Sequence, residues 1–172
     1  MDPAGLHHRP AAPGDQAGLA SLVCTSADPR LESWVRNDAL NRHLRSTAAD
    51  DFRLLVFHDD AGVIVAVTAH ERNFVVAGPD GESVPGSYLM VVAITDRFRD
   101  GYAPDGRPLI VAVLEATFKD VRSRGRGDWV SMMVRTGNSD GHALSPGLAQ
   151  YRLDAPEMKT STFCTWSSGS QH

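Results

Sequence analysis

Residues 87–125, "SYLMVVAITDRFRDGYAPDGRPLIVAVLEATFKDVRSRG", decide the fold. The first eight, Ser87 to Ile94, form a near-continuous apolar run of strand length. A strand that lacks polar alternation is covered on both faces, so it belongs in the middle of a sheet. From Leu109 the period changes: Ile110, Val113, Leu114, Thr117 and Val121 share a helical face, and Gly125 is a natural stop. Between strand and helix, residues 95–108 hold three arginines, two glycines, two prolines and three aspartates. Such a loop is either a polar surface turn or a cradle for phosphates. The second reading has a physical basis: the first amides of a helix lack internal partners, and the helix dipole puts partial positive charge there. Gly101 and Gly106 let backbone approach, Arg107 supplies bidentate donors, and Arg97 and Arg99 flank them. Pro108 falls near the first helical turn, where its missing amide costs little.

The next run, "DWVSMMVRT" (128–136), predicts a strand. The unit from Tyr88 to Val134 is therefore a strand–helix–strand crossover with parallel strands. Upstream, "FRLLVFHDDAGVIVAVTAHERN" (52–73) places two β-branched runs around "DDAG", a hairpin with a short glycine turn. "NFVVAGPDGESVPG" (73–86) is a further hairpin or a long loop. "GLHHRPA" (5–11) predicts a short first strand. "PGDQAGLASLVCTSA" (13–27) follows as a helix carrying Leu19, Leu22 and Val23. "RLESWVRNDALNRHLRS" (30–46) predicts a second helix, with Leu31, Trp34, Val35 and Leu44 near one stripe. Downstream, "HALSPGLAQYRL" (142–153) is helical in part and "MKTSTFCTW" (158–166) is a last strand. The fold class is α/β (α+β), with a mixed central sheet of about six or seven strands flanked by helices.

With 172 residues, the chain has the length of a single domain spanning 1–172. Its ends, about 1–4 and 167–172, are expected to be loosely held. A net charge of -4 and the absence of a long basic run argue against nucleic acid as a partner. No apolar stretch approaches the length of a membrane span, and the N-terminus lacks a signal-peptide layout. Cys24 and Cys164 lack metal-ligand spacing and are expected as free thiols in a cytoplasmic protein. His7 and His8 are neighbours on a strand and point to opposite faces, which disfavours a shared metal. No metal is expected.

The order of elements resembles that of the GCN5-related N-acetyltransferase (GNAT) family over roughly residues 5–153. The stretches that carry the resemblance are "HHRPAAPGDQAGLASLV" (7–23), "LMVVAITDRFRDG…GRPLIVAVLEATFKDVRSRG" (89–125) and "WVSMMVRTGNSDGHAL" (129–144). Within the loop the best frame is "APDGRP" (103–108). It keeps the family's glycine at Gly106 but has Ala103 where the family has arginine or glutamine, and Pro108 in place of the last small residue. A second frame starts at Arg99 and needs about four inserted residues. The resemblance implies acetyl-CoA as co-substrate and transfer of its acetyl group to an amine. It implies that the pantetheine arm pairs with backbone of Val92, Ala93 and Ile94, and that the pyrophosphate rests on the loop and helix start. Asn138 matches the family's asparagine after the next strand.

Amide formation from a thioester needs a base for the amine and an acid for the leaving thiolate. His70 and Glu71 end the strand beside the central one and are the candidate bases, with Glu82 a weaker one. The family's acid is a tyrosine about seven residues after the asparagine. That position is Ser145 here, and Tyr151 takes the role if "SPG" is an insertion. Tyr88 is expected to pack, and Trp34 either packs or covers an acceptor pocket. The expected partners are a small-molecule or peptide amine and, for assembly, a second copy in a homodimer. Two rivals stand beside the N-acetyltransferase: a non-catalytic acyl-CoA-binding or protein-interaction module of the same fold, and a transferase acting on another nucleophile.

Overall fold

The computed structural model describes residues 1–24, 29–47, 51–77, 82–124, 130–135 and 163–166. These build a six-stranded sheet whose strands lie side by side in chain order. The strands are β1 (His7–Pro10), β2 (Phe52–His58), β3 (Ile64–Ala77), β4 (Ser83–Ile94), β5 (Val130–Arg135) and β6 (Phe163–Trp166). β1 to β4 form an antiparallel meander, while β5 runs parallel to β4 and β6 parallel to β5. Four helices accompany the sheet: α1 (Gln16–Ala20), α2 (Pro29–Asn37), α3 (Ala39–Arg45) and α4 (Leu109–Ser123). Helix α4 makes the crossover between the parallel strands β4 and β5, as the change of period at Leu109 requires.

Each face of the sheet has its own core. On one face Phe52, Leu54, Val56, Val67, Ala69, Val91 and Ala93 pack against Leu19, Leu22, Val35, Ala39 and Leu40 of the α1–α3 region. On the other, Leu55, Phe57, Val65 and Ile94 pack against Leu109 and Val113 of α4. Helix α4 buries Leu109, Ala112, Val113, Leu114, Thr117 and Val121, and each larger apolar side chain among these contributes roughly 1.5–3 kcal/mol. A buried hydrogen bond of 3.0 Å joins the hydroxyls of Thr68 and Thr117 across this interface.

Three details differ from the sequence expectation. The first helix ends at Ala20, so Leu22 reaches the core while Val23 is exposed. The helix expected over 30–46 is two, because Asp38 leaves helical geometry (φ -122°) and stands at the N-cap position of α3, without a capping bond from its side chain. That break re-aims the second half, so Leu44 faces solvent instead of sharing a stripe with Val35, and Leu31 in the first turn of α2 is exposed as well. The first four residues make contacts of their own: Pro3 is buried, the Ala4 carbonyl accepts the Asp60 amide at 2.8 Å, and the Asp2 carboxylate accepts the Tyr102 amide at 2.8 Å. The helix expected within 142–153 lies outside the described residues.

Candidate active site

The centre of interest is the edge of β4. Its ladder with β3 continues to the Ile94–Ala66 pair, yet β5 accompanies it only from Ser87 to Leu89. Beyond that point β5 pairs with β6, from Met132 to Arg135, so β4 and β5 fork after Leu89. The fork coincides with a bulge: His70 pairs with Leu89 and Ala69 with Val91, which leaves Met90 as the extra residue. A bulge bends its strand and increases the local twist, which drives two neighbouring strands apart.

The parity of the ladder shows what the fork offers. The Thr95 amide donates to the Val65 carbonyl at 3.0 Å, so backbone at this position points to β3. Backbone direction alternates along a strand. Ala93 and Val91 therefore also turn towards β3, whereas Val92 and Ile94 turn their N–H and C=O towards the fork. Of the three residues expected along the pantetheine arm, two face the opening and Ala93 is engaged by Val67.

The loop after β4 is folded more tightly than a plain phosphate cradle. A 3-10 turn over Asp96–Phe98 is followed by a bridge between Tyr102 and Pro108. Gly106 sits at its tip with φ 83°, a conformation that favours glycine. Many loop amides donate within the chain: Gly101 to Phe98, Ala103 to Arg107, Gly106 to Ala103, and Leu109 back to Gly101, all at 2.8–2.9 Å. The Arg107 amide donates to the Asp105 carboxylate at 3.1 Å. The Arg107 guanidinium is clasped by Asp105 and Glu115. Its hydrogen bonds to Asp105, then to Glu115, hold it well above the usual arginine range, and Arg107 in turn lowers Asp105. Gly101 is buried under the N-terminus: an added Cβ would lie 2.6 Å from the Met1 carbonyl oxygen. Arg97 reaches the Met1 sulfur and stacks its guanidinium 5.1 Å from the Phe98 ring centroid; Arg99 is exposed.

His70 and Glu71 part company, because neighbours on a strand face opposite ways. His70 is fully buried beneath α4, with Nε2 3.3 Å from Asp120, which Arg53 also approaches at 3.3 Å. Neither ring nitrogen completes a hydrogen bond among the described residues. Glu71 faces α3, directly across from Tyr88, the last residue but one before the fork. Arg42 of α3 donates to Glu71 at 2.9 Å, lies 4.4 Å above the Phe52 ring, and approaches the Met90 sulfur at 3.6 Å. Trp34 meets Phe52 edge-on at 5.8 Å. Burial pushes the Tyr88 phenol above its ordinary value, so it keeps its proton at neutral pH. Glu82 is exposed beyond the far end of β4.

Solved structures share this architecture. A point mutant of the BH1408 protein from Bacillus halodurans aligns over 96% of this chain and 98% of its own, with TM-score 0.59 and 15% identity. The aminoglycoside 6'-N-acetyltransferase AAC(6')-Ih from Acinetobacter baumannii aligns over 96% and 100%, with TM-score 0.58 and 11% identity. A GNAT-family protein from Desulfovibrio desulfuricans aligns over 70% and 69%, with TM-score 0.50 and 18% identity. The chain has the GNAT fold. A scan against protein-family profiles and a search of curated proteins give no match.

On this GNAT framework the described candidates fall into three groups. Val92 and Ile94 line the fork, Gly101, Gly106, Arg97, Arg99 and Arg107 belong to the loop, and Glu71 stands beside the fork on the α3 face. Asn138 and Tyr151 lie outside the described residues. Arg42 and Met90 had no signal in the sequence: one is an ordinary cation on an amphipathic helix, the other an ordinary member of an apolar run. Among the described residues, no group of three or more His, Cys, Asp or Glu is arranged to hold a metal, and no helix is long and apolar enough to cross a membrane.

Proposed function

We propose that the chain is an acyl-CoA-dependent N-acyltransferase that moves acetyl from acetyl-CoA to a primary amine in a direct ternary complex. The observation that carries this reading is the fork: β4 keeps its β3 ladder while Val92 and Ile94 turn backbone donors and acceptors to the other side, where β5 no longer pairs with them among the described residues. An extended amide-bearing chain such as pantetheine adds to such an edge as a further strand would. The loop and the start of α4 stand at the end of that edge. The arginines there offer charge to phosphates, and Arg107 would exchange its two carboxylates for them.

In the reaction the amine nitrogen attacks the thioester carbon, the C–N bond forms and the C–S bond breaks. Of the two protons an ammonium group sheds, one ends on the sulfur of CoA and one in solvent. Glu71 is the base in this scheme, directly or through water, and the protonated Tyr88 phenol or Tyr151 supplies the sulfur. His70, sealed under α4, has a packing role. Holding both substrates at one fork supplies much of the rate advantage.

One observation favours a second reading, a non-catalytic acyl-CoA-binding or protein-interaction module. The loop amides expected to receive the pyrophosphate already donate within the chain. Calorimetric titration with acetyl-CoA, followed by thiol release with a panel of amines, separates the two. Binding with turnover supports the transferase, binding without turnover supports the module, and no binding removes the acyl-CoA site altogether.

A further inference from the structure

The pair formed by Arg42 and Glu71 is more than a tether between α3 and the sheet. We propose that it reads a zwitterion, so that the acceptor is an amine carrying its own carboxylate next to it, of the α-amino-acid type with an apolar side chain. This rests on the acyl-transfer reading above and names the substrate class of that same site.

Four observations converge. The two charged heads lie 2.9 Å apart, comparable with the spacing of ammonium and carboxylate in an α-amino acid. Both are reachable from solvent, Arg42 at 39% and Glu71 at 26% side-chain exposure. The Arg42 guanidinium is oriented by stacking over Phe52, yet among the described residues its second terminal nitrogen meets only the Met90 thioether, a weak acceptor, at 3.6 Å. A carboxylate is the ligand whose geometry uses the donors of such a preset planar fork. Finally, Met90 is the bulge residue at which β5 departs, so this pair stands beside the point where the acyl group would arrive.

In this arrangement the acceptor's carboxylate lies on Arg42 and its amine on Glu71, which takes the proton as the nitrogen attacks. Trp34 and Tyr88, both half-buried, offer apolar surface for the side chain. A polycation would set a second positive group against Arg42, which selects against it.

The test uses the full chain with acetyl-CoA. L-leucine, L-methionine and L-phenylalanine are compared with their decarboxylated amines and with an aminoglycoside, by thiol release and by calorimetry. Expected is a KM for the amino acids lower than for the decarboxylated amines by roughly 10- to 100-fold, the worth of one charge-assisted contact. Arg42→Gln should raise the amino-acid KM to that of the amine, with kcat changed far less. Arg42→Lys, which keeps the charge and guards against a folding defect, should retain part of the preference. The proposal is overturned if the decarboxylated amines are used equally well, or if Arg42→Gln changes the KM of both classes alike, which is what a purely structural tether predicts. If acetyl-CoA binds and only the aminoglycoside is acetylated, this inference falls while the transferase reading stands. If acetyl-CoA does not bind at all, both fall together.

Discussion

The parity of β4 makes a sharp demand on two adjacent residues. Val92 points its amide into the fork, and Ala93 points its amide at Val67 of β3. Proline at either position removes one amide, so the two substitutions separate binding from folding. Val92→Pro deletes a donor for the pantetheine arm and leaves the β3 ladder intact; Val91 before it is already extended, as a residue preceding proline prefers. The expected loss of acetyl-CoA affinity is about fivefold, one hydrogen bond of about 1 kcal/mol. Its stability cost is about 1 kcal/mol, because Val92 is only partly buried against the α4 cluster and proline has a similar volume. Ala93→Pro instead orphans the buried Val67 carbonyl and puts a ring against the ladder, costing roughly 3 kcal/mol or more. For a chain of this size that lowers Tm by about 6–12 °C, against about 2–4 °C for Val92→Pro. Differential scanning calorimetry and acetyl-CoA titration on the same samples give both numbers. If Val92→Pro binds acetyl-CoA as tightly as the parent chain, or unfolds as early as Ala93→Pro, the assignment of the fork is refuted.

Three further outcomes follow from other parts of the structure. Glu71→Gln should lower kcat by roughly 100-fold while acetyl-CoA affinity stays within about twofold, measured by steady-state thiol release and titration; full turnover removes Glu71 as the base. Asp51 is buried with φ 42°, and its carboxylate pairs with Arg72 and Arg124. Asp51→Ala removes the carboxylate that both guanidinium groups share, leaves Arg72 with only the Arg124 carbonyl at this junction, and should cost roughly 3 kcal/mol, read as a shift in the urea midpoint; a change below about 0.5 kcal/mol contradicts this. Burial, above all, pushes the His43 imidazole below its ordinary value. The unfolded chain then takes up a proton that the folded chain refuses, so this stabilisation is complete above about pH 6.5 and is lost as pH falls through the folded value. The urea midpoint should drop between about pH 7.5 and about pH 5.5, and His43→Gln should flatten that slope.

Much of the fold is written in local periodicity. The apolar run of 87–94, the helical face of 109–121 and the glycine turn at Gly62 each depend on neighbours in sequence. Strand, helix and hairpin duly lie where those patterns put them. Breaks were harder to see. Asp38 sits inside a stretch with helical spacing on both sides, and the break there is tied to laying two short helices, through Val35, Ala39 and Leu40, on one sheet face.

The sequence by itself determined the order of elements, the central place of β4 and the arginine–glycine loop before α4. It also marked Glu71 as a carboxylate beside the central strand, because composition and period are properties of the chain alone. What only the tertiary structure decided is how those residues face. A bulge at Met90 opens the fork, and ladder parity turns Val92 and Ile94 into it and Ala93 away. Strand alternation sends Glu71 to Arg42 and His70 beneath α4. The loop's amides and Arg107 find partners within the loop, in Asp105 and Glu115, and at the N-terminus, where the Tyr102 amide meets Asp2 from far along the chain. Direction and partnership depend on which segments meet, and that is fixed only once the sheet has closed its ladders and the helices have covered its two faces.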